Sequence, residues 1–124
     1  NAVIQFYKSN GQLVRSLKGP DYSDLQYKSE NGSLSLDEKT KRAYIDLSSS
    51  KKYVYALYSG QELNQPDRNH GQHIIVFNWQ GEAVKHFILD QFSFEVSVDS
   101  DDEYLYITAP QSKNPGVYKY KLNI

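Results

Sequence analysis

The apolar positions of this chain come in short runs separated by turn signals, the pattern of β-strands. Val3-Ile4-Gln5-Phe6-Tyr7 leads into Ser9-Asn10-Gly11, and Leu13-Val14-Arg15-Ser16-Leu17 follows. β-Forming residues on both sides of an Asn-Gly pair predict a hairpin. The arrangement returns as Ile74-Ile75-Val76-Phe77, Gln80-Gly81 and Ala83 to Leu89, gapless at an offset of 70. Gly11 falls on Gly81, Ile4 on Ile74, Tyr7 on Phe77, Val14 on Val84, Arg15 on Lys85 and Leu17 on Phe87.

A second internal match is independent of the first. Ala43 to Leu47 followed by Tyr53 to Leu57 aligns with Phe94 to Val98 followed by Tyr104 to Thr108, at an offset of 51. The connecting stretches, Ser48 to Lys52 and Asp99 to Glu103, are equally long. Val117-Tyr118-Lys119-Tyr120 then takes the place of Ile74 to Phe77 with a shorter loop before it. The chain thus reads as units of four short strands, a to d. Strands c and d cover Val3 to Leu17, a to d cover Ala43 to Leu89, and a to c cover Phe94 to Leu122.

Repeats of four short antiparallel strands are the signature of β-propeller blades. The predicted fold class is all-β, with antiparallel four-stranded β-propeller blades forming an incomplete propeller. The predicted division is a tag remnant (1–2), two strands of one blade plus an insert (3–32), a complete blade (33–90) and a final blade without its closing strand (91–124). This would be a segment of a longer protein, from the end of a ring that an N-terminal strand closes. Within the insert, Gly19-Pro20-Asp21 and Asn31-Gly32 are turn signals. Ser33 to Leu36 predicts a strand, with Asp37 to Arg42 as its hairpin turn. Asp21 to Glu30 is too short and polar to compete as a helix.

Composition changes this picture only by exclusion. In 124 residues, 14 Lys and Arg face 15 Asp and Glu, so no electrostatic case exists for nucleic acid or an anionic membrane surface. No apolar run approaches the length of a transmembrane helix. The absence of cysteine excludes disulfides, thiolate metal sites and thiol catalysis. Tyrosine supplies 11 residues, and their period-two spacing assigns most of them to strands that pack blade on blade. Tyr22, Tyr27 and Tyr58 are expected in loops, where a carbohydrate surface would need them.

Tyr55-Ala56-Leu57-Tyr58-Ser59-Gly60, then Ile75-Val76-Phe77-Asn78-Trp79-Gln80-Gly81, then Leu89-Asp90 resembles the TolB-like six-bladed propellers of Bacteroidales. Phe6-Tyr7, Gly11 and Lys18-Gly19-Pro20 resemble the preceding blade of the same family. Asn78 stands where that pattern carries Asp. The resemblance implies a six-bladed ring of about twice this length or more. It also implies an exported, extracytoplasmic protein (periplasmic or an outer-membrane lipoprotein) with no established chemistry.

The candidate chemistry is sparse. His70 and His73 have an H-x-x-H spacing with Asp67 upstream, too few donors for a structural metal site. His86 lies in a strand, and the repeat matches it to Ser16, which predicts a structural role. Asp99, Asp101, Asp102 and Glu103 lack the reversing glycine and distal glutamate of a calcium loop and read as an a–b turn. Ser59 in Tyr58-Ser59-Gly60 lacks the first glycine of a nucleophile elbow. No catalytic residue, metal site or cofactor is assigned. The expected function is a non-catalytic propeller module that binds a ligand or protein partner through the loop Ser59 to Gln72, with Tyr58, Ser59, Asp67, Arg68, His70 and His73 as contacts. The alternatives are a propeller lyase or hydrolase with its site on the ring axis, and a carbohydrate-binding surface. Exposed blade edges would also favour pairing with a second copy.

Overall fold

A computed structural model describes residues 2–20, 22, 27–37, 39–110 and 113–124. Asn1 of the expected tag remnant and Asp21 of the expected turn lie outside the described residues, and Tyr27 is described by its backbone alone. The described chain has no helix and eleven strands, all paired antiparallel. Strands β1 (Val3–Tyr7) and β2 (Leu13–Lys18) form one hairpin, and β3 (Tyr27–Glu30) and β4 (Ser33–Leu36) form another. Strands β5 (Tyr44–Ser49), β6 (Tyr53–Tyr58), β7 (Gly71–Asn78) and β8 (Ala83–Ser93) make a four-stranded sheet in chain order. Strands β9 (Val96–Val98), β10 (Tyr104–Ala109) and β11 (Gly116–Lys121) make a three-stranded one.

The first repeat carries through to backbone detail. β1 pairs with β2 as Ile4↔Leu17 and Phe6↔Arg15, and β7 pairs with β8 as Ile74↔Phe87 and Val76↔Lys85, the same register 70 residues on. Each pair has a bulge at the matching step, Phe6/Tyr7 and Val76/Phe77. Each turn closes with the same bonds: Lys8 N–H to Gln12 O and Asn78 N–H to Glu82 O, at 2.8 and 2.9 Å. Gly11 and Gly81 sit at φ of 89° and 86°, which a side chain rarely tolerates, so the glycine match is a requirement of the turn.

The second repeat is looser. Ser49 pairs with Val54, but the equivalent of Val54, Leu105, pairs with Val98. The later a–b turn therefore holds two more residues than the earlier one. Ser50 Oγ accepts from Lys52 and Tyr53 N–H in the short turn. Asp99 Oδ1 accepts from Glu103 and Tyr104 N–H in the long one, and Asp102 takes a φ of 57°. The stretches are equally long in sequence because β5 runs two residues further, through Ser49. An even shift leaves every side chain on its own face, so alternation conceals it.

The insert also differs from expectation. Ser33–Leu36 does form a strand, but it pairs with Tyr27–Glu30 through the Asn31-Gly32 turn, and not across Asp37 to Arg42. Asn31 and Gly32 both have positive φ, as a two-residue hairpin turn demands. Tyr27 opens β3 and is therefore not in a loop. β8 continues past Leu89 to Ser93, and Phe94 lies in the bend before β9. The buried Ser93 hydroxyl makes that bend, donating to Glu95 O and accepting from Glu95 N–H.

Alternation assigns the core to two interfaces. Val54, Ala56, Tyr58, Ile75 and Phe77 on one face of the four-stranded sheet pack with Ile4 and Phe6 of the first hairpin. Tyr55, Leu57, Ile74 and Val76 on the other face pack with Val96, Leu105, Ile107 and Leu122 of the three-stranded sheet. β6 and the Ile74 to Phe77 part of β7 are covered on both sides, which is why their sequences are continuously apolar. Ala2, excluded from the fold on sequence grounds, is buried in the first interface, and its carbonyl accepts from Gly19 N–H at 2.6 Å.

Polar bonds fix the stacking. Asp46 Oδ2 and Ser48 Oγ of β5 accept from Val96 and Val98 N–H at 2.9 and 3.0 Å. They satisfy the edge of β9 that no strand covers. The buried Tyr55 hydroxyl donates to Asp102 at 2.7 Å, tying β6 to the neighbouring turn. On the other side the Arg15 guanidinium donates to Gln80 O, and Phe6 meets Trp79 edge to face at 6.0 Å. The pairs 46–96 and 48–98 advance together, so β5 and β9 run the same way. All a–b and c–d turns therefore collect at one end, and the b–c and d–a connections at the other.

Candidate functional site

The long-connection end holds the site residues expected from sequence, but it divides them. Tyr58 closes β6 and pairs with Tyr44 and His73. It is a buried strand residue and not a loop aromatic: its ring meets Tyr44 at 5.5 Å and its hydroxyl donates to Pro20 O at 3.0 Å. Beyond it the chain continues a ladder with the approach to β5. Ser59 N–H donates to Ala43 O, Gly60 N–H to Arg42 O and Leu63 N–H to Thr40 O. The first third of the expected binding loop is thus held as an extension of the β5–β6 pair. The buried Ser59 hydroxyl donates to Arg68 O at 3.1 Å and accepts from Gln61 N–H, which closes the loop on itself.

Two histidines meet beside this ladder. His73 on β7 lies diagonal to His86 on β8, because Ile75 pairs with His86 and His73 with Ile88. Their side chains share the face that bears Ile75. His73 Nδ1 and His86 Nε2 stand 3.0 Å apart, with ring centroids at 5.2 Å. Tyr58, Ser59, Gln61, Pro20 and both histidines line an open pocket of about 310 Å3. Three expected contacts, Tyr58, Ser59 and His73, are brought together there. Asp67, Arg68 and His70 do not line it.

His70 faces elsewhere. Its ring stands edge to face with Phe94 at 5.8 Å, and its Nδ1 is buried without a hydrogen-bond partner. The H-x-x-H pair is therefore split, and His73 finds His86 instead. His86 is the residue sequence reasoning missed. The signal was present in the hairpin repeat, since the Gln5↔Ser16 pairing transfers to Ile75↔His86 and places His73 one step along the same face. Phe94 borders a second groove of about 490 Å3 with Asp46, Glu95, Tyr106 and Val117, between β5 and the three-stranded sheet.

Burial raises the phenols of Tyr44 and Tyr55 above the ordinary tyrosine value, Tyr55 further through its bond to Asp102. Burial and Asp90 do the same for Tyr120. These phenols stay protonated donors. Among the described residues, no three or more His, Cys, Asp or Glu side chains converge to hold a metal ion. Asp99 and Asp102 of the acidic turn spend their carboxylates on the backbone and on Tyr55. No described helix is long and apolar enough to cross a membrane.

No curated protein and no solved structure matches the chain. A family model described as TolB-like 6-blade propeller-like matches residues 2–101, which include the first hairpin, the whole four-stranded sheet and β9. With its repeated hairpins and stacked antiparallel sheets, the chain belongs to the TolB-like 6-blade propeller-like family.

Proposed function

We propose that this chain supplies consecutive blades of a β-propeller that binds, without catalysis, a small polar ligand or a polar protein segment at its long-connection end. Strands β1–β2 are the outer half of one blade, β5–β8 a complete blade and β9–β11 the inner part of the next. The observation that carries this reading is the burial of β6 and β7 on both faces between sheets of the same polarity. A two-layer sandwich would leave one of those faces in water. Same-polarity stacking also concentrates the variable b–c and d–a connections at one end, where the histidine pocket opens. The family's association with periplasmic or envelope proteins supports an exported protein. The buried, internally bonded Ser59 hydroxyl is not poised as a nucleophile, which favours binding over catalysis.

The test is a screen of small polar fragments by proton NMR in chelator-containing buffer, read on the three histidine ring resonances and the Trp79 indole. The expected hits shift His73 and His86 together, leave Trp79 at the opposite end unmoved, and are lost in His73→Ala. Hits that move Trp79 alone would contradict the assignment of the binding end.

A further inference from the structure

We propose that His73 and His86 form an open two-nitrogen site for a late first-row divalent cation, Cu2+ most tightly. The inference rests on the same pocket as the proposed function and names a ligand class for it. Two neutral imidazoles approach to 3.0 Å through ring nitrogens only if one donates a proton to the other. Once that proton moves to the other nitrogen of the donor ring, both facing nitrogens carry lone pairs and can share a metal. With metal–nitrogen bonds of about 2.0–2.1 Å, cis ligands stand roughly 2.9–3.4 Å apart. The observed separation already lies in that range, so closure of the chelate needs ring rotation and no backbone movement.

The backbone holds the pair in place. His73 and His86 sit on adjacent strands of one ladder, in the pairs His73↔Ile88 and Ile75↔His86 with Ile74↔Phe87 between them. Imidazole suits Cu, Ni and Zn, and Cu2+ leads the affinity order for such donors. No third His, Cys, Asp or Glu converges among the described residues, so the remaining coordination positions belong to water or an incoming ligand. The pocket of about 310 Å3 beside the pair gives that ligand room, next to the Tyr58 and Gln61 side of the wall. Such a site would recognise small Lewis bases through the metal.

Cu2+ titration of the full 124-residue chain, followed by calorimetry and electron paramagnetic resonance, tests the site. One equivalent with coupling to two nitrogens is expected. His73→Ala and His86→Ala should each weaken binding by about tenfold or more, since each removes one of two ligands. His70→Ala, on the other side of the sheet against Phe94, should leave it unchanged. An amide spectrum matching the parent chain confirms that each variant folds. Unchanged binding in folded His73→Ala and His86→Ala, or loss in His70→Ala, would overturn the proposal. Fragments that still shift His73 and His86 in chelator, with no Cu2+ site present, would overturn the metal site alone and leave the binding pocket standing.

Discussion

Replacing Leu57 by alanine should lower the unfolding free energy by about 2–5 kcal/mol. Leu57 is fully buried on the face of β6 that packs against the three-stranded sheet. Its neighbours include Ile74 and Val76 on its own sheet and Leu105 and Ile107 on the next. The walls of the resulting cavity are two hydrogen-bonded ladders. Neither can collapse inward without breaking backbone bonds, which puts the cost toward the upper part of the range for such truncations. Urea unfolding followed by Trp79 fluorescence and circular dichroism measures the loss as a fall in midpoint. Leu34→Ala is the comparison: Leu34 is 75% exposed on β4 and should change stability by less than about 0.5 kcal/mol. Equal losses at the two positions would mean that Leu57 is not held between sheets.

Gly71→Ala is expected to cost about 1–3 kcal/mol, although it adds a single methyl group. Gly71 is not in a left-handed conformation, so the obstacle is space. A Cβ there would lie 2.5 Å from Tyr58 O, 2.9 Å from Tyr58 C and 3.2 Å from Leu57 Cδ1. The first two atoms are backbone and cannot swing aside. β7 would have to separate from β6 at its first residue, two positions before His73. Stability should therefore fall together with any ligand response of His73, whereas Leu57→Ala should spare the histidine pair in the folded state. Thermal unfolding and the histidine resonances, measured on the same sample, check both effects. An alanine variant of parental stability would show that β6 and β7 stand further apart here.

The strands and hairpin registers were legible because glycine turns and period-two alternation act locally. Gly11 and Gly81 fix the turn, the turn fixes the register, and the bulge at Phe6/Tyr7 reappears at Val76/Phe77. What escaped the sequence was set by longer-range pairing. Tyr27–Glu30 is too polar to read as a strand and becomes one only because Asn31-Gly32 turns it onto Ser33–Leu36. The two extra residues of the Asp99 turn were invisible because an even shift preserves the apolar pattern. Tyr58 read as the start of a loop, yet the ladder runs on past it to Leu63 through Thr40 to Ala43. Half of the histidine site was named from sequence. The other half needed the β7–β8 register, which sends His70 to Phe94 and gives His73 a new partner.

The stacking of the middle sheet between two others underlies both the blade assignment and the position of the histidine pocket. It is tested most directly by methyl-to-methyl nuclear Overhauser contacts in a methyl-labelled sample. Ile74 and Val76 methyls should show cross-peaks to the Leu105 and Ile107 set, and Ile75 to the Ile4 set, with His73 ring protons on the Ile75 side. Swapped contacts, with Ile74 facing Ile4, would mean a one-residue slip of β7. Contacts from only one of the two faces would mean an open sandwich, and either result would contradict the propeller account.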